Sequence, residues 1–440
     1  MMRRILFPFL LLIGILLIDG RPASAQWLGT VSIESGYDDN MFHNYSATES
    51  GSTDVTLMYG YFPEDGNWAL NYTGALSTFS QYPDRLYATN TLGASWSHAF
   101  GDEDVNSISL MSIGSMRLDA EDYTLYDYSQ ALASLSLKQQ LIGDLPLLAS
   151  YRVRYRSYPN FGELSYLEHF ASIGTMLFFE TRTSIRVQAD YGFKNYLTSS
   201  PVDPALSGSG FTSTQSGLTV DGGGNGGGGN GGGGNGSGSG TGSGGGGNGS
   251  GSGRMSMGGN GNSSGMEGSV EYLMFEDPST SQLSAWINVG QGITDATGLS
   301  FRYLQRWNLT DRGRAFVGGA VDFIGEEELF DDPYSYESNE FTLSLTQVLP
   351  WEMRLKAGGY FLHKTYGYPS TLDYTDPSVA SRADDRMGGW MTVSKSIGGD
   401  WLLFEGLDLS VGYVYLRNQS NTSYYDYSSN AMSIGISTNF

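Results

Sequence analysis

The side chains best placed for chemistry are basic residues at alternating positions. In Tyr151-Arg152-Val153-Arg154-Tyr155-Arg156 every second residue is an arginine, and the residues between are aromatic or apolar. Successive side chains leave opposite faces of a strand. Arg152, Arg154 and Arg156 therefore form one rail, spaced about 6.6–7 Å apart at roughly 3.3–3.4 Å per residue. The same parity aligns Arg186 with Lys194, Arg302 with Arg306, and Arg354 with Lys356. Rows of this kind select anions when they line a pore. They can equally brace a wall by pairing with acids such as Glu34 and Asp190, and the sequence leaves both roles open.

Other chemistries find little support. The four histidines, His43, His98, His169 and His363, make no His-x-x-x-His pair and fall in no hydrolase pattern. The acidic runs Asp38-Asp39, Glu121-Asp122, Glu326-Glu327-Glu328, Asp331-Asp332 and Asp384-Asp385 lack the spacing of a calcium loop. They read as solvated loop charge, with divalent-cation bridging to lipopolysaccharide as the functional alternative. Cysteine is absent, which excludes a disulfide framework, a zinc finger and thiolate iron–sulfur chemistry. We therefore expect no catalytic residue, no metal and no cofactor. Against 24 Lys and Arg stand 46 Asp and Glu, a net charge of −22. That balance argues against a nucleic-acid partner.

The elements that must position the arginines are strands. Helical periodicity is nearly absent from the 440 residues, and segments of about ten alternate apolar with small or polar. At the end of the chain Met432, Ile434, Ile436 and Phe440 share one face, and Ser433, Gly435, Ser437 and Asn439 share the other. We count about eighteen such segments, with sixteen as the runner-up; 267–275 and 314–324 are the tenth and thirteenth. Even-numbered connections are short turns, such as Pro63-Glu64-Asp65-Gly66, Asp277-Pro278, Thr310 to Gly313 and Pro350-Trp351-Glu352. Several odd-numbered ones are long, although 82–85, 158–164 and 293–298 are modest.

Residues 1–25 read as a secretory signal peptide. Arg3 and Arg4 precede the apolar run Ile5 to Ile18, and Ala23-Ser24-Ala25 is a small-residue cleavage site. Removing the segment takes the formal charge from −22 to −24. No later stretch is apolar enough for a membrane helix, and no cysteine follows the signal to carry a lipid.

Export, alternating strands and alternating loop lengths point to a closed barrel across an outer membrane. In hydrocarbon every backbone polar group must be paired, so strands span only as a closed barrel. A lipid-facing arginine at the midplane costs about 2–4 kcal/mol, which leaves the lumen for the basic rows. Aromatics belong at both interfaces. The short-turn side receives Trp27, Trp68, Trp96, Trp307, Trp351, Trp401 and Phe440, and the long-loop side receives tyrosines such as Tyr37, Tyr158, Tyr196 and Tyr366.

With Met432 to Phe440 closing the chain, and Ser35-Gly36-Tyr37-Asp38-Asp39-Asn40-Met41-Phe42 ending the first strand, the sequence resembles an outer-membrane β-barrel protein of Gram-negative bacteria, porin-like in type. The resemblance implies a single antiparallel barrel over 26–440, set in outer-membrane lipid and lipopolysaccharide. It implies insertion by the barrel-assembly machinery through the last strand, with Phe440 as the signal. The expected function is passage of small polar or anionic solutes through a channel. The alternatives are an exporter of an anionic polymer such as a polysaccharide, and a plugged structural or adhesive barrel that acts through its outer loops.

Of the 45 residues from Asp221 to Gly265, 26 are glycine. No lysine falls between Lys194 and Lys356, so a phosphate-binding loop is excluded. The segment reads as a solvated coil within a long outer loop, 197–266. Protease added to intact cells is expected to cut within 221–265 and to spare the 350–352 turn. Protection of the first with cleavage of the second would reverse the orientation.

Overall fold

A computed structural model describes residues 25–43, 45, 47–64, 66–141, 145–160, 162–197, 270–273, 279–310, 315–318, 332–369, 381–401 and 404–440. The chain forms β1 (Ala25–Asp38), β2 (Ser50–Pro63), β3 (Trp68–Phe79), β4 (Tyr87–Phe100), β5 (Asn106–Asp119) and β6 (Tyr128–Gln140). It continues through β7 (Pro146–Ser157), β8 (Tyr166–Phe179), β9 (Thr183–Tyr196), β10 (Val270–Leu273), β11 (Ser279–Gly292) and β12 (Thr297–Asn308). The remainder are β13 (Ala315–Gly318), β14 (Tyr336–Val348), β15 (Met353–Pro369), β16 (Ser381–Trp401), β17 (Phe404–Ser420) and β18 (Tyr427–Asn439). Sixteen of them close into one antiparallel barrel, in which each pairs with the next and β1 pairs with β18.

The barrel therefore holds sixteen strands rather than eighteen. The tenth and thirteenth segments pair with each other as a separate two-stranded sheet, Val270 opposite Gly318. Their four-residue lengths are too short to span, since a crossing strand needs about 9–11 residues. Period two marks a strand without naming its partner.

The correction makes the loop alternation regular. β9 now pairs directly with β11, and β12 with β14. The connection 293–296 moves to the short-turn side, and every connection on that side is shorter than every connection on the other. The stretches 277–278 and 310–313 belong to long connections; 277–278, 311–313, the Gly-rich segment 221–265 and, apart from Ala25, the signal segment lie outside the described residues. Trp307 also changes sides. It pairs with Leu283 at the long-loop end of the wall.

Two faces separate cleanly. On β18, Met432, Ile434 and Ile436 are 63%, 59% and 49% exposed on the outside, while Ser433, Gly435 and Ser437 face inward. Surface of this kind in a continuous belt needs lipid rather than water. At the short-turn end an aromatic girdle runs across the outside of β1 to β4. Trp27 stacks on Tyr59 at 5.1 Å, Tyr61 lies 5.3 Å from Trp68, and Trp68 stands in register with Trp96. His98 belongs to this girdle, between Trp96 and Phe100. Gly66 and Gly101 turn the chain there with φ of 66° and 86°, a region that favours glycine.

The seam that closes the barrel ends at Phe440. Its N–H donates to the Gly29 carbonyl at 2.9 Å, and the Gly29 N–H donates to its carbonyl at 3.0 Å. The Phe440 ring occupies the space a Cβ would take on Gly29. Deleting Phe440 removes both bonds and is expected to cost about 1–3 kcal/mol, at roughly 0.5–1.5 kcal/mol each. Phe440→Leu keeps both bonds and should cost less, as read by denaturant unfolding in detergent.

Candidate functional site

The lumenal wall is the candidate site, because alternation brings every predicted basic residue onto it. Among the described residues the basic residues divide into braced and open. Arg154 donates from Nε to Glu168 Oε2 at 2.7 Å. Arg156 donates to the Gln130 amide oxygen at 2.7 and 2.9 Å and to the Tyr158 hydroxyl at 3.2 Å. Arg152 lies 3.9 Å from Glu168 and above the Phe170 ring at 4.6 Å. Arg306 reaches the Tyr336 hydroxyl at 3.1 Å. Arg186 and Arg302 sit on either side of Trp286, 4.9 and 5.1 Å from its ring, with no carboxylate in salt-bridge range. Arg354 and Lys356 are exposed near the short-turn end. The rail of three arginines is thus one neighbourhood of the wall, not a free ladder.

Lys194 has a different task. A segment of the 309–335 connection, Asp332 to Ser335, folds inward against β8, β9 and β11. Lys194 Nζ lies 2.7 Å from Asp332 Oδ2, and both side chains are 4% exposed. The Tyr196 hydroxyl donates to the same oxygen. Gln282 donates to the Pro333 carbonyl. The Tyr334 hydroxyl donates to Glu168 Oε1 at 2.8 Å, and its ring fills the space above Gly192, where any Cβ would collide with it. Burial first, then the charge of Glu168, pushes the Tyr334 phenol well above its ordinary range, so it stays a donor.

Further sets of cation, carboxylate and tyrosine stiffen the long-loop end. Arg117 donates to Asp119 at 2.8 Å and lies 3.9 Å from the Tyr87 ring. Arg382 donates from Nε to Asp384 at 3.1 Å and lies 4.2 Å from the Tyr366 ring. Sequence reasoning missed Arg117, Asp119, Arg382, Lys138, Glu168 and Trp286, and it read Asp332 and Asp384 as solvated loop charge, whereas both are buried in ion pairs. Their parity was readable, but their partners lie on neighbouring strands or in a loop. Of the remaining histidines, His43 lies 3.6 Å from Asp38, His169 bonds the Tyr151 hydroxyl at 2.6 Å, and His363 bonds Asp385 at 2.6 Å.

Breaking a buried pair strands its partner, at about 3–5 kcal/mol, whereas replacing both members by apolar groups costs little. Asp332→Leu is therefore expected to destabilise the barrel by about 3 kcal/mol. The Lys194→Met/Asp332→Leu double variant should recover most of that loss in denaturant unfolding. Equal losses in both would mean that the pair does not hold the segment.

No family model matches this chain, and no curated protein matches it. Solved structures similar to it include OpdO of Pseudomonas aeruginosa, at 9% identity and TM-score 0.40, covering 94% of this chain and 97% of that one. OccK2 (OpdF) of the same organism, solved with glucuronate, is 8% identical at TM-score 0.41, covering 96% and 100%. OccAB1 of Acinetobacter baumannii is 10% identical at TM-score 0.40, covering 94% and 96%. The barrel itself, closed and antiparallel with sixteen strands, apolar outside and charged within, has the architecture of a porin-like outer-membrane protein.

Proposed function

We propose that the chain is an outer-membrane channel for passive diffusion of small polar solutes, with a preference for anions. One observation carries this reading. Lys138 on β6, Arg354 and Lys356 on β15 and Glu34 on β1 face the lumen and are exposed, and among the described residues none has a charged partner within salt-bridge range. Unpaired charges are stable only where water solvates them. Inside a closed barrel that water is in the lumen, and a water-filled lumen joining two aqueous compartments conducts.

The anion preference rests on the open basic residues rather than on the three-arginine rail. Arg154 and Arg156 spend their donors on Glu168 and Gln130. Arg354 and Lys356 keep theirs for solutes. On the same reading the signal peptide is removed near Ala25, and insertion proceeds through β18 and the barrel-assembly machinery. Lipopolysaccharide meets the long-loop rim, where the His363–Asp385 pair faces outward beyond the apolar Phe361 and Met387.

Planar-bilayer recording tests the proposal. The purified barrel should conduct in uniform steps. Arg354→Gln with Lys356→Gln should move the reversal potential in a salt gradient toward cation preference, most visibly at low salt, where screening is weak. Arg154→Gln should instead lower stability by about 1.5–3 kcal/mol, the worth of a hydrogen bond to a charged group, and leave selectivity unchanged, because buried Glu168 loses its closest cation while keeping Arg152 and the Tyr334 hydroxyl. A folded barrel that never conducts would remove the channel reading and favour a plugged structural barrel.

A further inference from the structure

We propose that a serine track on the inner wall, together with Lys138 and Arg186, binds small hydroxylated oxyanions, meaning sugar acids or sugar phosphates. The inference rests on the channel reading and names a substrate class for it. In register, Ser97 stands opposite Ser109, Ser109 opposite Ser136, Ser136 opposite Ser150, and Ser150 opposite Ser172. Five consecutive strands thus present a row of hydroxyls, spaced about 4.7–4.9 Å apart across the sheet. No such row is needed for pairing, because backbone groups make the ladder.

Four of these serines line a lumenal cavity of about 260 Å³ on β5 to β9. Ser107 and Gln188 also line it, and Lys138 and Arg186 supply its charge. Among the described residues its lining contains no acid and no aromatic ring. Asp190 is in register with Ser172, and its oxygens already accept from Gln188 at 2.6 Å and Ser284 at 3.3 Å. Ser150 and Ser172 bond each other at 2.8 Å. Arg186 donates from Nη2 to Gln188 at 2.8 Å, while its Nε is buried without a hydrogen-bond partner.

The donor set fixes the chemistry of the occupant. Two cations without an acid favour one anionic group. A hydroxyl both donates and accepts, so a row of serines matches a row of hydroxyls on the solute. A simple monoanion would use the cations and leave the row to water. A neutral sugar would use the row and leave the cations unanswered.

Isothermal titration of the full mature barrel in detergent tests this, with gluconate, glucose 6-phosphate, glucose and acetate as probes. At least one of the two hydroxylated anions should bind at least tenfold more tightly than glucose and acetate. Comparing gluconate with glucose 6-phosphate separates a carboxylate site from a phosphate site. Lys138→Gln should weaken the preferred anion at least fivefold with no change in melting temperature, since Lys138 is exposed. Ser109→Ala with Ser136→Ala should weaken that anion but not acetate. Acetate binding as tightly as both hydroxylated anions, or no effect of Lys138→Gln, would overturn the assignment. Conductance recorded in parallel keeps the two readings apart. A conducting barrel that fails the titration loses only this inference, and one that binds without conducting loses only the channel.

Discussion

Everything in this molecule depends on the pairing of backbone groups. A strand in hydrocarbon cannot leave an N–H or C=O without a partner, and a flat sheet always leaves two edges. Closure removes the edges, and here it is made by β1 against β18. Closure then forces a strict division of side chains. One parity meets lipid and the other meets the lumen, with no third place for a charge. The sequence obeys this on strand after strand, which is why arginine alternates with tyrosine on β7 and serine with isoleucine on β18.

The lumen in turn is not uniform. Toward the long loops it is crowded with paired charges and tyrosines, among them Arg117 with Asp119, Lys194 with Asp332 and Arg382 with Asp384. In low-dielectric surroundings such pairs are strong only when complete, so they fix geometry more than they add stability. They hold the inward segment Asp332–Ser335 against the wall. Toward the short turns the wall changes to small hydroxyls and exposed cations, which suits water and passing solute. One barrel thus carries a braced mouth above a stretch lined by hydroxyls and exposed cations.

Much of this was legible in the sequence, because period two survives translation into structure. The facing of Arg152, Arg186, Arg302 and Arg354 and the girdle residues Trp27, Trp68 and Trp96 follow from parity and position. What parity does not carry is partnership. The 267–275 and 314–324 segments alternate as convincingly as barrel strands, yet they pair with each other, and that misassignment moved Trp307 to the wrong end. Lys194 looked like a pore cation until Asp332, 138 residues away in sequence, was found against it. The serine row was invisible for the same reason. Each of its members is an ordinary lumenal serine, and only the register between strands aligns them.

The central claim is the inversion of faces, apolar outward and polar inward, with water on the inside. The chain contains no cysteine, so single cysteines can report it without background. Substitutions at each position from Ala133 to Lys138 on β6, in the assembled barrel, would be exposed to a charged, membrane-impermeant thiol reagent. The account predicts reaction at 134, 136 and 138 and protection at 133, 135 and 137. Uniform protection would contradict a water-filled lumen, and uniform reaction or the opposite alternation would contradict the assignment of faces.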